Sequence, residues 1–137
     1  MSTWVLGFSD RLSYSKYDEI TVELSLSGNS STPFAVEATV DTGSKFCIFQ
    51  RRYARLLGFD LETGTKVRIR TAAGSFVAYG HEVNLAVSNM EWSAVVYFAD
   101  EENSPVNVLG RVGFLDRLRI GVVDYEQVLY LGPHDAA

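Results

Sequence analysis

The chain has 137 residues, enough for one domain with a substantial core, and its 47% hydrophobic and 21% charged residues are typical of a globular protein. A formal net charge of −5, with lysines and arginines mostly scattered, argues against nucleic acid or an anionic membrane as the main partner. The single cysteine, Cys47, excludes an internal disulfide, and His81 and His134 lack the spacing of metal ligands. We therefore expect no structural metal.

The N-terminal stretch "MSTWVLGFSDRL" contains one short apolar patch. No basic region precedes this patch, so it lacks the pattern of a signal peptide, and no run of the sequence reaches the length of a membrane span. A cytoplasmic protein without membrane association is expected. Because Trp4, Val5, Leu6 and Phe8 are too apolar to be left in water, we expect residues 1–9 to pack on a partner or to cover the domain.

The first predicted strands lie between residues 19 and 49. "EITVELSLSG" alternates apolar and polar residues, which is the period of a half-buried strand, and a turn is predicted at residues 28–31. "PFAVEATV" then runs into Asp41, and "KFCIF" resumes the apolar pattern after Ser44. The sequence therefore predicts a tight loop at residues 41–44 between two strands.

A short helix and two hairpins are predicted next. "QRRYARLLGFD" has apolar residues at helical spacing and ends at Gly58, a natural helix stop. "KVRIRTAAGSFVAYG" contains two alternating runs joined by a small tip at residues 72–75, which predicts a β-hairpin. "EVNLAV" and "SAVVYFA" predict a second hairpin across residues 88–90.

The C-terminal part begins with an acidic loop, "DEENSP", followed by "VNVLGRVGFLDRL". A short apolar strand ends there at Gly110, and residues 112–118 are expected to form one or two helical turns. "RIGVVDY" and "QVLYLG" predict two closing strands. The predicted fold is mostly β with two short helices.

Asp41-Thr42-Gly43 is the candidate reactive site. The tripeptide is a weak signal alone, because Asp, Gly and Ser are ordinary turn residues. Its context adds weight: strands precede and follow it, a glycine-tipped hairpin comes about thirty residues later, and a Gly-Arg segment lies near the C-terminus.

The motifs "VDTGS", "TAAGSF" and "PVNVLGRVGFLDRL" together resemble the single-domain, retropepsin-like aspartic proteases, the family of the retroviral proteases and their bacterial relatives. The resemblance covers about residues 20–131. It implies a retropepsin-like acid protease barrel with two short helices, one catalytic loop and one flap hairpin per chain. We expect this domain at residues 20–131, an N-terminal extension at 1–19 that packs on the fold or forms a dimer, and a tail at 132–137.

The resemblance also implies a homodimeric aspartic endopeptidase acting on a peptide or protein substrate, because each chain supplies one Asp-Thr-Gly and the reaction needs two carboxylates. Two such groups about 3 Å apart cannot both ionise, so they share one proton. The ionised carboxylate takes a proton from a water molecule while the other donates to the scissile carbonyl. Neither a metal nor a cofactor is needed for this reaction.

Site roles follow from the same resemblance. Asp41 corresponds to the acid/base residue, and Thr42 to the hydroxyl that reaches across a two-fold axis to steady the partner loop. Gly43 allows the substrate backbone to approach closely. Ser44 is expected to donate a hydrogen bond to the outer oxygen of Asp41, which favours a pH optimum below neutrality.

The resemblance assigns the hairpin tip to the flap, which closes over substrate and offers backbone donors. This tip consists of Ala72, Ala73, Gly74 and Ser75.

Gly110 and Arg111 are expected to be structural, the arginine holding backbone or a carboxylate through its fork of donors. Retroviral members usually carry an acidic residue where this chain has Lys45, so the partner that the family pattern supplies for Arg111 is missing here.

Four other residues receive structural interpretations. Cys47 is expected to be a buried, unreactive thiol, and Tyr79 an ordinary strand tyrosine. His81 and His134 are expected to be solvated loop residues.

Two alternatives to an endopeptidase stay open from the sequence. One is a retropepsin-fold dimerisation or peptide-binding module that keeps the site without turning over substrates. The other is a structural β-domain with an accidental motif, which would require Asp41 to lie far from any two-fold axis.

Overall fold

The computed structural model describes residues 2–28 and 31–135, along which run ten strands, one α-helix and two 3-10 helices. The strands are β1 (Asp10–Ser13), β2 (Thr21–Ser27), β3 (Phe34–Val40), β4 (Ile48–Phe49), β5 (Thr65–Thr71), β6 (Gly74–Val87), β7 (Met90–Ala99), β8 (Val108–Leu109), β9 (Leu118–Val123) and β10 (Val128–Pro133). The helix α1 spans Arg51–Leu56, and the 3-10 helices span Leu61–Thr63 and Asp124–Glu126. The predicted turn at residues 28–31 falls in part on Asn29 and Ser30, which lie outside the described residues.

Six strands close into a barrel in the order β2-β3-β8-β4-β7-β6, and β6 pairs back with β2. The pairs β3–β8 and β4–β7 are parallel, whereas the other pairs are antiparallel. One edge of the 14-residue strand β6 pairs with β5 near its start and with β2 near its end. The β5–β6 hairpin is therefore anchored in the barrel by the strand that closes it.

The core fills this barrel because its strands alternate apolar and polar residues. In β2, for example, Val22, Leu24 and Leu26 are buried while Glu23 is exposed. Burial of each large apolar side chain contributes roughly 1.5–3 kcal/mol. Several fully buried residues come from distant parts of the chain, which ties the strands into one core: Phe49, Leu85, Phe98, Leu109, Phe114 and Leu129.

A second, three-stranded sheet has the order β1-β10-β9 and joins the two ends of the chain. The Tyr14 hydroxyl, just after β1, donates a hydrogen bond to Asp124 Oδ1 at 2.5 Å. This contact, together with burial, raises the pKa of Tyr14 to about 12. β1 lies within the predicted N-terminal extension and pairs with β10, which ends in the predicted tail.

The residues before β1 differ sharply in burial. Phe8 lies against Tyr130, with ring centroids 5.7 Å apart, but Trp4, Val5 and Leu6 are 93%, 85% and 61% exposed. Within the single chain, these three apolar side chains therefore do not cover the barrel.

The helix α1 is confirmed, and Gly58 after it has a φ of +81°, a conformation that glycine adopts without strain. The expected helical turns at residues 112–118 are instead consecutive turns. Gly113 has a φ of +102° there, which is incompatible with a right-handed helix. The segment "EVNLAV" is not a separate strand, because β6 runs continuously through it.

His81 was expected in a solvated loop, and this is wrong. It lies in β6, its ring stacks on Phe59 with centroids 4.6 Å apart, and its Nε2 is 2.8 Å from the Leu61 carbonyl oxygen. His134 follows β10 and is exposed, and Tyr79 is a strand residue packed against the core, both as expected. In the part of the chain that is described, no helix is long and apolar enough to cross a membrane.

Candidate active site

Asp41 follows β3 directly, at the point where this strand leaves the barrel beside β8. Its backbone N–H donates to the Leu109 carbonyl oxygen at 3.0 Å, which extends the parallel pairing by one residue. The Ser44 N–H then donates to the Asp41 carbonyl oxygen at 3.1 Å and closes the loop. The predicted tight loop at residues 41–44 is thus confirmed.

The segment after β8 locks this loop from the other side. The Arg111 N–H donates to the Ser44 carbonyl oxygen at 2.9 Å, and the Val112 N–H donates to that of Lys45 at 2.8 Å. A Cβ on Gly110 would lie 2.3 Å from the Phe46 carbonyl oxygen and 2.6 Å from that of Ser44, so only glycine fits here. The parallel strands β3 and β8 bring the Asp-Thr-Gly and Gly-Arg segments into direct contact.

The Asp41 carboxylate is exposed, and its Oδ1 accepts a hydrogen bond from the Gly43 N–H at 2.9 Å. The Ser44 hydroxyl does not contact it: Ser44 Oγ donates instead to the Phe46 carbonyl oxygen at 2.8 Å. Because a hydroxyl has a single hydrogen to donate, the expected Ser44–Asp41 hydrogen bond is wrong. The acidic pH optimum inferred from that hydrogen bond loses its basis as well.

The side chain of Arg111 is exposed and makes no ion pair among residues 2–28 and 31–135. The expectation that its guanidinium holds backbone or a carboxylate is therefore not met, and its backbone N–H makes the contact with the loop. The loop has Lys45 two residues after Gly43, so Asp41 is its one carboxylate, and Arg111 does not pair with it among the described residues.

Cys47 lies directly beneath the loop and is fully buried, as expected. Its Sγ is 3.5 Å from the Val112 carbonyl oxygen and 4.0 Å from that of Gly110. Burial raises the pKa of this thiol to about 11, so it stays protonated and unreactive near neutral pH.

A groove of about 750 Å³ lies between the Asp41 loop and the β5–β6 hairpin. Of the residues that the sequence assigned to the site, Asp41, Gly43, Ser44 and Ala72 line it. Its other lining residues include an apolar set: Phe46, Ile48, Ile69, Phe76, Val106 and Val108. No cluster of three or more His, Cys, Asp and Glu side chains that could hold a metal ion occurs among the described residues.

Thr42 does not line this groove. It borders a second cavity of about 410 Å³ together with Arg111, Val112, Leu115 and Asp116. Val112 is 42% exposed there. The Asp41 loop thus separates the groove on one side from a partly apolar hollow on the other.

The hairpin tip is exposed at Ala72, Ala73, Gly74 and Ser75. The Thr71 hydroxyl donates to the Gly74 carbonyl oxygen at 3.2 Å and accepts from the Ala73 N–H at 3.3 Å. Gly74 has a φ of +137°, which favours glycine in this turn. Ala73, Gly74 and Ser75 do not line the groove in this structure.

Several groove residues were missed by the sequence analysis, most clearly Lys45, Arg68 and Arg70. Arg68 and Arg70 stand out in the sequence as an alternating basic pair within a strand, but nothing there shows which cavity they border. Val106 and Val108 reach the groove because β8 is parallel to β3, a long-range pairing that periodicity does not reveal.

A family model described as aspartyl protease matches residues 22–112, a span that contains the Asp41 loop, the hairpin and Gly110-Arg111. The fold is similar to that of a retropepsin-like aspartic protease from Rickettsia conorii, with a TM-score of 0.64, 17% identity, and coverage of 89% of this chain and 98% of that chain. It is also similar to EIAV protease complexed with the inhibitor HBY-793, with a TM-score of 0.54, 19% identity, and coverage of 73% and 88%. The comparison with curated proteins finds no matching sequence.

The family match spans well over half of the chain, and both solved structures have the same barrel architecture. The resemblance inferred from three short motifs is confirmed. The chain belongs to the aspartyl protease family and has the retropepsin-like fold.

Proposed function

We propose that two copies of this chain form an aspartic endopeptidase in which the two Asp41 carboxylates activate water. The observation that carries this proposal is an exposed carboxylate on a loop fixed by backbone hydrogen bonds, facing a groove of about 750 Å³ beneath a hairpin. Membership of the aspartyl protease family supports a peptidase.

Two copies are needed because one chain brings a single carboxylate to the groove. Among the described residues that line it, Asp41 alone is acidic. General acid–base hydrolysis needs one group to accept a proton from water and one to donate a proton to the scissile carbonyl. A second Asp41 across a two-fold axis supplies the missing group, and the close pair shares one proton.

The remaining groups take supporting roles in this proposal. Gly43 leaves room for an extended substrate backbone next to the carboxylate. The hairpin from Ala72 to Ser75 closes over the peptide and excludes water. Thr42, on the side of the loop away from the groove, contacts the loop of the partner, and Gly110-Arg111 keeps the loop in position.

The exposed apolar surface supports the dimer. Trp4, Val5 and Leu6 are largely exposed, and Val112 borders the hollow beside Thr42. Large apolar side chains left in water are a common mark of an interaction surface. We propose that the N-terminal segment packs on the partner chain.

This assignment predicts that a chain lacking residues 2–7 dimerises more weakly than the full chain, since burial of each large apolar side chain is worth roughly 1.5–3 kcal/mol. Sedimentation equilibrium of both chains measures the effect. The deletion stops before Phe8 and β1, so the sheet is retained. An unchanged dimerisation constant would remove the segment from the interface.

For the catalytic role, we expect Asp41→Asn to lower kcat by at least about 10²–10⁴-fold, because it removes the proton acceptor while keeping the side-chain shape. Cleavage of a peptide library by the wild-type chain identifies a substrate, on which both proteins are then compared. Sedimentation and circular dichroism must show the same dimer and fold. A variant that cleaves as fast as the wild type would refute the catalytic claim.

The experiment also separates the two main functional alternatives. Saturable binding of peptides by a wild-type dimer that cleaves none of them would identify a peptide-binding module. Cleavage abolished by Asp41→Asn would identify the endopeptidase.

A further inference from the structure

The groove beside Asp41 is bordered by three cationic side chains, although the chain as a whole has a net charge of −5. We propose that this groove selects peptides with acidic side chains flanking an apolar pair at the cleaved bond. The inference rests on the proposed endopeptidase function and names the substrate class of the same groove.

The inner part of the groove is apolar. Ile48 and Ile69 are buried, and Phe46, Phe76 and Val106 pack against them as partly buried residues. Such a surface takes up apolar side chains by removing them from water. The residues on either side of the cleaved bond are therefore expected to be apolar.

The cations lie in two different elements. Lys45 belongs to the Asp41 loop, and its Nζ lies 5.3 Å from the centre of the Phe46 ring. Arg68 and Arg70 belong to β5, and Arg68 Nη1 donates to the Ser75 hydroxyl at 3.2 Å. The loop and the hairpin thus each bring positive charge to the groove.

All three cations are exposed, and none forms an ion pair among the residues that the structure describes. Arg51 and Arg55, by contrast, both pair with Glu102. No carboxylate of the described residues neutralises the charges at the groove. They are available to a ligand.

Lys45 places a positive charge in the same loop as Asp41. With Lys45, Arg68 and Arg70 against the single carboxylate of Asp41, the lining is net positive. An acidic substrate side chain is attracted there, and a basic one is repelled.

The two-fold symmetry of the proposed dimer gives this preference a pattern. Each chain contributes one set of cations to the shared groove, on opposite sides of the catalytic pair. Acidic residues on both sides of the apolar pair should therefore act together.

Three matched peptides test the proposal. They share one apolar pair at the centre and carry Glu, Gln or Lys at the second and third positions on either side. We expect kcat/KM to fall by about three- to tenfold from Glu to Gln and again from Gln to Lys at low salt, the range of partly exposed charge pairs. The differences should shrink in 1 M salt, where the screening length falls to about 3 Å.

Charge-removing variants assign the preference to the groove. Lys45→Gln and the double variant Arg68→Gln with Arg70→Gln should each lower the Glu-to-Gln ratio. Lys16→Gln is a matched control, since its Nζ lies 5.2 Å from the Tyr17 ring centre, outside the groove. Lys66→Gln removes a charge from β5 outside the groove. Neither control should change the ratio.

Equal cleavage of the Glu and Gln peptides at low salt would overturn the inference and leave the endopeptidase standing. If the wild-type chain cleaves neither these three peptides nor any member of the peptide library, the proposed function fails, and binding of the three peptides to the wild-type protein decides the charge preference. Tighter binding of the Glu peptide, lost in the groove variants but not in the controls, would support the inference. Equal binding would overturn it.

Discussion

The two sides of the groove are held in very different ways. On one side, the loop at residues 41–46 has backbone hydrogen bonds to Leu109, Arg111 and Val112 and a buried thiol beneath it. On the other side, the hairpin tip at residues 72–75 is exposed, and one threonine side chain bridges its turn. Under the proposed function, the Asp41 carboxylate is positioned before a substrate arrives, and the hairpin tip adapts to the bound substrate.

The strand β6 belongs to both the hairpin and the closed barrel. Its first half forms the hairpin with β5, and its second half lies between β7 and β2 in the closed barrel. The base of the hairpin is therefore held on both edges, whereas its tip pairs only with the end of β5. We therefore expect the tip to open locally at a lower free energy than the barrel.

The largest expected effect on the free energy of unfolding comes from a mutation that tests the close packing of the Asp41 loop. Gly110→Ala should lower the free energy of unfolding by about 3 kcal/mol or more, because its Cβ would lie 2.3 Å from the Phe46 carbonyl oxygen. Gly7→Ala is the control, since a Cβ there meets nothing within 4 Å, and it should change stability by less than about 0.5 kcal/mol. Urea unfolding measures both. Equal stabilities would show that the two segments are not in such close contact.

The pKa of Cys47 provides a pH-dependent test of the packing around the Asp41 loop. Its pKa is raised from 9.0 to about 11 by burial, so the folded state favours the thiol over the thiolate. The contribution of this pKa shift to the free energy of unfolding is fully present below pH 9 and is lost as the pH rises to about 11. The loss is roughly 3 kcal/mol, at about 1.4 kcal/mol per pKa unit.

Cys47→Ala should therefore be less stable than the wild type at pH 7 yet lose less stability between pH 9 and pH 11. The wild type and the variant must be compared because Tyr14 also lowers the free energy of unfolding as the pH rises. Its pKa is raised from 10.0 to about 12. Urea unfolding at several pH values gives both slopes. Parallel slopes for the two proteins would contradict the buried thiol.

A smaller effect on stability is expected from a mutation at the tip of the β5–β6 hairpin. Thr71→Val removes the hydroxyl that bridges Ala73 and Gly74, so hydrogen exchange at the tip should become faster. The free energy of unfolding should change by less than about 1 kcal/mol. Thr65→Val, at the other end of β5, is the control. If both variants exchanged equally fast at the tip, the Thr71 hydroxyl would not order it.

The sequence predicts much of this architecture because local patterns determine it. The alternation of Val22, Leu24 and Leu26 marks β2, and Gly58 marks the end of α1. The Asp-Thr-Gly motif could be placed in a loop because apolar runs flank Asp41 on both sides. These signals lie within a few residues of the features that they predict.

The misses depend either on a side-chain rotamer or on contacts between residues that are distant in the sequence. Ser44 donates to Phe46 because the loop turns its hydroxyl away from Asp41, a rotamer that the motif alone does not set. His81 is a strand residue packed on Phe59, and only the folded chain brings the two rings together. The cations of the groove were visible in the sequence, but their common position follows from the hairpin folding over the loop.

The two tryptophans of the chain occupy opposite environments. Trp92 packs on Phe114, and its indole N–H donates to the Gly113 carbonyl oxygen at 2.8 Å, close beneath the fixed loop. Trp4 lies almost entirely in solvent. Intrinsic fluorescence therefore carries two signals: the half-buried Trp92 reports on the support of the loop, and the solvated Trp4 shifts its emission to the blue when the N-terminal segment becomes covered.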